Sequence, residues 1–279
     1  MTHFLKKVSH SIKIRLLRII YWWKTKRLKN AFSTGTPHIV QTEINHIPIC
    51  VLASEDIGRQ ILIRKQFEIT DTNFITSIMK PDWVCVDIGA NIGYWSLLLA
   101  QGCPKGTIYA FEPVSLTHAL LNLNILLNNF TNVLSFKQAL SNKTEELTLC
   151  VAQDSAFSSF KDTQRIPVKE RVKVACTTLD EFALAQQVQK IDFIKIDVEG
   201  AELSILQGAK SILQTLNPSL MLIELSQKNL LAYQTTKNDI LQFLSSFGYK
   251  PFIVDSNSLT LRKATSGDLH AHENFFFQK

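Results

Sequence analysis

The sequence predicts an α/β protein: a doubly wound, mostly parallel sheet preceded by a basic helical segment. Three observations predict it. Short apolar runs that suit buried strands alternate with helical runs from about residue 83 to residue 254. One such strand, Trp83-Val84-Cys85-Val86, leads through a Gly-bearing turn directly into a helix. Acidic side chains stand at or just past the ends of these strands, where open α/β sheets bind ligands.

Residues 1–30 read as a basic amphipathic helix. Leu5, Val8, Ile12, Leu16, Ile19 and Trp23 fall near one helical face, and Lys and Arg are interspersed among them. The uncharged run Ile19 to Trp23 is too short to span a bilayer, and charges interrupt any signal-peptide centre. Two roles fit: an interfacial helix with Tyr21, Trp22 and Trp23 at headgroup level, or a helix packed on protein. Residues 31–80 read as an N-terminal appendage. It has a loop at Gly35-Thr36-Pro37, strand-like runs near 46–53 and 60–64, and a helix from Thr72 to Lys80 capped by Asp71.

Residues 81–279 form the main domain. After the first strand–turn–helix unit come a strand at Thr107–Phe111, a helix over 115–128, and a strand at Val133–Lys137. Residues 144–176 break the alternation with two β-like runs, Glu146–Val151 and Val168–Cys176, around a polar loop. The alternation resumes with a helix from Thr178 and a strand at Asp192–Asp197. A helix over 202–215, a strand at Leu220–Glu224, a helix over 236–247 and strands at Pro251–Val254 and Asn274–Gln278 complete it. No internal repeat or low-complexity tract interrupts this order.

The composition fits one α/β core with additions: 279 residues, 46% of them hydrophobic. The net charge of +6 is a property of the N-terminus. Nine of the 30 Lys and Arg precede residue 30, no Asp or Glu precedes Glu43, and the other 21 basic residues face 24 acidic ones. The main domain is therefore slightly acidic, and no nucleic-acid partner is expected. The five cysteines are scattered, with no Cys-x-x-Cys pair. They point to a reducing, cytoplasmic setting, peripheral at a membrane if residues 1–30 bind one, and to no structural zinc.

The turn Asp87-Ile88-Gly89-Ala90-Asn91-Ile92-Gly93 carries the binding chemistry. A glycine lets a ligand approach the backbone, and amides at the following helix start can meet polar ligand atoms. The spacing differs from the Gly-x-Gly-x-x-Gly of dinucleotide folds, which counts against a nicotinamide-dependent oxidoreductase. It resembles the first motif of class I methyltransferases, which holds S-adenosylmethionine. Asn91 replaces the middle glycine and is the side chain that best tolerates the left-handed region. Glu112, at the second strand's end and followed by Pro113, is placed to bind ribose hydroxyls. Gln138 and Ala139, after the third strand, occupy the place of adenine contacts.

The densest polar cluster is Lys195-Ile196-Asp197-Val198-Glu199-Gly200-Ala201-Glu202. Charges so close to an apolar strand need partners, which favours a reaction site over a surface turn. Together with Val86–Gly93, Phe111-Glu112-Pro113, Thr178-Leu179-Asp180 and Leu222-Ile223-Glu224, this run resembles the FkbM family of methyltransferases over about residues 60–255. The resemblance implies a Rossmann-like class I methyltransferase fold and S-adenosylmethionine as cofactor. It also implies transfer to a hydroxyl of a polyketide-like metabolite, sugar or glycan. Asp197, Glu199 and Glu224 are the candidate bases, with His270 and His272 as rivals. Two carboxylates could share a divalent ion, as in some other O-methyltransferases, but carboxylates alone assign no metal. A membrane-associated binding protein that kept the fold is the remaining alternative; intact Asp87, Glu112 and Asp197 count against it.

Overall fold

The computed structural model describes residues 38–279; the basic segment 1–30 and the Gly35-Thr36-Pro37 loop lie outside the described residues. Two units divide between Phe67 and Glu68.

In the first unit, β1 (Ile39–Ile44) pairs antiparallel with β2 (Ile47–Leu52). The two-residue turn Asn45-His46 has both φ angles positive, at 47° and 66°, which matches the twist of a hairpin. Helix α1 (Asp56–Arg64) follows. The run at 60–64 is thus helical, not a strand. The β-branched Ile61 and Ile63 suggest extension, but Asp56 in the first turn and Arg64 in the last suit the helix dipole. Gln60 Nε2 also donates to Asp56 Oδ2 across one turn at 2.7 Å, and Ile61 is fully buried.

The second unit begins with α2 (Ile69–Ile78), which starts earlier than the sequence suggests, after Glu68 in the left-handed region. Next come β3 (Cys85–Ile88), α3 (Tyr94–Gly102), β4 (Ile108–Phe111), α4 (Ser115–Leu127) and β5 (Val133–Phe136). Three strands, β6 (Ala139–Leu140), β7 (Glu145–Ala152) and β8 (Val168–Thr177), form a separate small sheet in the order β6-β8-β7. Helix α5 (Leu179–Ala185) leads to β9 (Phe193–Ile196), then α6 (Glu202–Gln207), α7 (Lys210–Thr215) and β10 (Leu220–Glu224). The chain closes with α8 (Gln227–Ala232), α9 (Lys237–Ser246), β11 (Lys250–Asp255), β12 (Thr260–Lys263), α10 (Ser266–Ala271) and β13 (Asn274–Gln278).

The helix expected over 202–215 is two helices. Asp180 explains the restart: its carboxylate accepts from the amides of Ser211 and Ile212, both at 2.9 Å, and caps α7. Helices α8 and α10 and strand β12 were not evident as elements in the sequence. α10 is set by a capping box, Thr265 with Asp268.

The main sheet has eight strands in the order β12-β11-β13-β10-β9-β3-β4-β5. Pairings from β10 through β5 are parallel; β13 is antiparallel to both β10 and β11. The period of two along β3, β9 and β10 places Val86, Ile88, Ile194, Ile196, Met221 and Ile223 in one buried cluster. That leaves Asp87 and Lys195, which are register partners, on the opposite face with α3. Their charges therefore gather at one end of one face. Among the described residues, no helix is long and apolar enough to cross a membrane, and all five cysteines are free and buried.

Candidate active site

The turn after β3 is shaped by its own backbone. Asn91 has φ 49°, the left-handed conformation its side chain tolerates, and Gly93 has φ 94°. Gly89 has φ +83°, and a Cβ there would lie 1.9 Å from the Asp197 carbonyl oxygen. The neighbouring strand end therefore leaves no room for a side chain at this position. The turn amides are also occupied. Gly89 and Ala90 donate to the Phe111 carbonyl, Asn91 to Glu112, Ile92 to the Asn91 side chain and Gly93 to Ala90. The turn is thus held against β4 by its own amides.

Asp87 is completely buried. Ser96 Oγ, in the first turn of α3, donates to its Oδ2 at 2.6 Å, where a carboxylate also complements the helix N-terminus. Its Oδ1 has no hydrogen-bond partner. Burial raises the Asp87 carboxyl, opposed by Lys195.

Glu112, just past β4, accepts three bonds from the chain itself: Asn91 N at 2.9 Å, Val114 N at 2.8 Å and Thr117 Oγ1 at 2.9 Å. Burial pushes its pKa up to about 7 against those donors. A carboxylate offers about four lone-pair directions, so one stays open for a ligand hydroxyl. Pro113, next to it in sequence, and Gln138, after β5, are half-buried, and Ala139 is buried as the first residue of β6.

The second centre lies past β9 and at the end of β10. Lys195 is 4% exposed, and its Nζ donates to Asp197 Oδ2 at 2.8 Å. Burial works against the charge of Lys195, but Asp197, Glu68 and Asp87 outweigh it and hold its pKa above the ordinary lysine range. Burial would raise the Asp197 carboxyl; Lys195, Glu224 and Arg165 overcome this and hold it below the ordinary carboxylate value. Glu224 faces Asp197, and burial together with that negative neighbour raises its pKa well above normal. The two carboxyls are therefore pushed in opposite directions, Asp197 down and Glu224 up. Glu199 sits at φ 58° and is bound by Arg165 Nη1 at 3.0 Å and by Asn229. Burial and Asp197 still push it to about 8.

Oxygens of Asp197, Glu199 and Glu224 lie within 4.8 Å of one another, a spacing that one hard cation could bridge. Each is already answered within the chain: Asp197 by Lys195, Glu199 by Arg165 and Asn229, and Glu224 by its hydrogen bond with Asp197. An acidic cluster in that state assigns no metal ligand. His270 and His272 are exposed on or beside α10, and His272 lies 3.9 Å from Asp268.

Several site residues had no motif to mark them. Glu68 accepts from Trp95 Nε1 at 2.7 Å and from Asn274 Nδ2 at 2.9 Å, and Asn274 also donates to Asp71 at 2.8 Å. The loop between β7 and β8 supplies Arg165 and Ser159. Ser159 Oγ donates to the Glu199 carbonyl at 2.7 Å and lies 2.6 Å from the Tyr233 hydroxyl. In the same loop, Phe157 stacks under Arg165 at 4.5 Å.

These buried acids carry a stability consequence. Burial raises Glu112 and Glu202 to about 7 and Asp71 to about 6, from ordinary values near 4. Between those limits the folded chain binds more protons than the unfolded one, so stability falls as pH rises. Differential scanning calorimetry of the ligand-free protein should show a lower Tm at pH 8 than at pH 5. A Tm that is flat or rising over that interval would mean these groups ionise as freely in the fold as outside it.

A mostly parallel sheet with a Gly turn after its first core strand and acids at successive strand ends defines a Rossmann-like class I methyltransferase. The FkbM methyltransferase domain matches residues 87–251, more than half of the chain, and the chain belongs to that family. The cofactor of this class is S-adenosylmethionine. The site fits such a cation: its carboxylates outnumber Lys195 and Arg165, and Asp87 keeps a buried oxygen without a donor. The chain is 27% identical over 179 residues to Methyltransferase 1 of Beauveria bassiana, covering 58% of this chain and 69% of that protein. It is 25% identical over 199 residues to the hexuronic acid methyltransferase AglP of Haloferax volcanii, covering 70% and 79%. It is also 25% identical over 187 residues to the 2-O-methyltransferase NoeI of Sinorhizobium fredii, covering 62% and 75%.

Proposed function

We propose that this methyltransferase acts on a hydroxyl group, carried by a sugar, a glycan or a polyketide-like metabolite. The observation that carries the reading is the gathering of Asp197 and Glu224 at adjacent strand ends, their oxygens within 4.8 Å, with Lys195 Nζ 2.8 Å from Asp197 Oδ2. The names of the relatives AglP and NoeI, one a hexuronic acid methyltransferase and one a 2-O-methyltransferase, support a sugar hydroxyl. When bound, S-adenosylmethionine supplies an electrophilic methyl group whose carbon–sulfur bond breaks with the electron pair left on sulfur. The protein has to place the hydroxyl oxygen and receive its proton. Asp197 is the acceptor of that proton. A weakly basic carboxylate suffices because an alkylated hydroxyl is itself a strong acid as the new carbon–oxygen bond forms. Glu199, bound by Arg165 and Asn229, ties the β7–β8 loop to the reaction centre instead.

The direct test offers the purified protein S-adenosylmethionine and a panel of uronic acids, alkyl glycosides, nucleotide sugars and polyketide alcohols, and follows the methylated product by mass spectrometry. Methylation confined to amines or thiols would overturn the hydroxyl assignment.

Glu112 is assigned to the ribose, with Asp87, Gly89, Ala90, Asn91, Gly93 and Pro113 framing the nucleoside side and Gln138 and Ala139 the adenine side. Glu112→Ala should weaken S-adenosylmethionine binding by about 1.5–3 kcal/mol, the usual worth of a hydrogen bond to a charged group. Isothermal titration calorimetry measures it, and an unchanged affinity removes Glu112 from the cofactor.

Residues 1–30 are assigned to an anionic membrane surface on their charge, at about 1 kcal/mol per engaged basic residue. Full-length protein should co-sediment with anionic vesicles, less so in high salt, and a chain starting at residue 31 should not. Equal behaviour of the two forms would make the segment a protein-packing helix.

A further inference from the structure

We propose that Lys195 is a positioning residue for the methyl transfer: its ammonium grips Oδ2 of Asp197 and fixes the orientation of that carboxylate as the acceptor hydroxyl arrives. The proposal rests on the reading of Asp197 as proton acceptor. It starts from placement. Lys195 and Asp197 are two residues apart at the end of β9, so the strand's period puts both on the face that carries α3. The contact between them is 2.8 Å, with the Lys195 side chain 5% exposed and that of Asp197 23% exposed. The anchor is therefore buried, while the carboxylate it holds is partly exposed.

A buried ammonium is costly unless it is paired, and a structural lysine would need only one partner. Lys195 has a frame built from several elements. Its Nζ lies 6.0 Å from the centre of the Trp95 ring on α3. Asp87 faces it from β3, and Glu68 from the residue before α2. Glu68 is itself held in the left-handed region at φ 44°, gripped by the Trp95 indole and by Asn274 of β13. Backbone strain of this kind persists where the surroundings over-determine a conformation, and here it goes with a carboxylate whose charge acts on Lys195.

The charged groups facing Asp197 are Lys195, Glu199 and Glu202 from its own segment, Glu224 from β10, Arg165 from the β7–β8 loop and Asp87 from β3. Four of the six are acids; of these, Glu224 hydrogen-bonds Asp197 and favours its ionised form, while Glu199, Glu202 and Asp87 add negative charge around it. Of the two cations, Arg165 is spent on Glu199 and Asn229, which leaves Lys195 as the one in contact with Asp197. Removing Lys195 then has two effects: the carboxylate loses its tether, and its ionisation moves up towards neutrality.

The test uses full-length protein labelled with 13Cγ-aspartate and titrated by NMR, with Asp197→Asn assigning the signal. In wild type the Asp197 carbon should stay ionised from pH 5 to 8. In Lys195→Met its midpoint should rise by about 1–3 pH units, the range for loss of an adjacent opposite charge. Lys195→Arg, which keeps the charge, should bring it back down. With an acceptor from the panel, Lys195→Met should lower kcat by about 10²-fold, the scale of a misplaced reacting group, with the affinity for S-adenosylhomocysteine retained and the acid limb of the pH profile moved upward. If Lys195→Met does not fold, Lys195→Gln, which keeps the stem and a donor without the charge, replaces it. The proposal falls if Asp197 titrates at or above the ordinary carboxylate value in wild type, or if its midpoint is the same with and without the lysine charge. Full turnover by Asp197→Asn would instead sink the underlying reading, whatever Lys195 does.

Discussion

Asp197→Asn should lower turnover by about 10²–10⁴, the usual contribution of a positioned base, and leave the fold in place. The substitution keeps size and shape. An asparagine oxygen still accepts from Lys195 Nζ, so the buried ammonium at 2.8 Å is not left bare. What disappears is the negative charge and with it the capacity to take the hydroxyl proton. Glu224 loses the neighbour that holds its proton and should ionise at lower pH, since Asp197 is a leading cause of its raised value. The measurement is single-turnover methyl transfer with an acceptor from the panel, beside calorimetric affinity for S-adenosylhomocysteine. Turnover at the wild-type rate would pass the role to Glu224 or Glu199.

Gly89→Ala should abolish cofactor binding and destabilise the protein by several kcal/mol. Two costs combine. A Cβ-bearing residue at φ +83° is strained by about 1–3 kcal/mol. The new methyl would also lie 1.9 Å from the Asp197 carbonyl oxygen, a backbone atom that cannot swing away. Asp197 N donates to the Ile88 carbonyl at 3.0 Å, so β3 and β9 are tied together where the methyl would force them apart. Overpacking of that kind costs about another 1–3 kcal/mol and pushes Asp197 off its place. Gly248→Ala separates the two costs: it has a similar φ of +87° but meets nothing nearer than 3.8 Å. That variant should show the strain alone and retain activity. Should Gly89→Ala melt and bind like Gly248→Ala, the packing of the turn against β9 is not what the site depends on.

Much of this site could be read from local pattern. The strand–turn–helix at 83–102 shows because its buried strand, its left-handed Asn91 and its helix are contiguous in the chain. The acids at 112, 197, 199 and 224 show because strand ends are visible as breaks in apolar runs. Their division of labour does not show. Glu199 and Asp197 look equivalent in sequence; one is bound by Arg165 and Asn229, residues 34 and 30 positions away, and the other by its neighbour Lys195. The split at Gly208 was equally hidden, because the cap that restarts α7 belongs to Asp180 on another helix.

The sequence by itself determined the alternating order of strands and helices, the mostly parallel sheet, the cofactor turn and the family. Each of these rests on periodicity or on motifs that lie close together along the chain. Tertiary contacts alone set which carboxyls are pushed down and which up, which amides of the turn are already occupied, and that Glu68, held by Trp95 and Asn274, stands near Lys195. Ionisation is set by burial and by charges brought from distant parts of the chain, and hydrogen-bond capacity by partners that local pattern does not reveal.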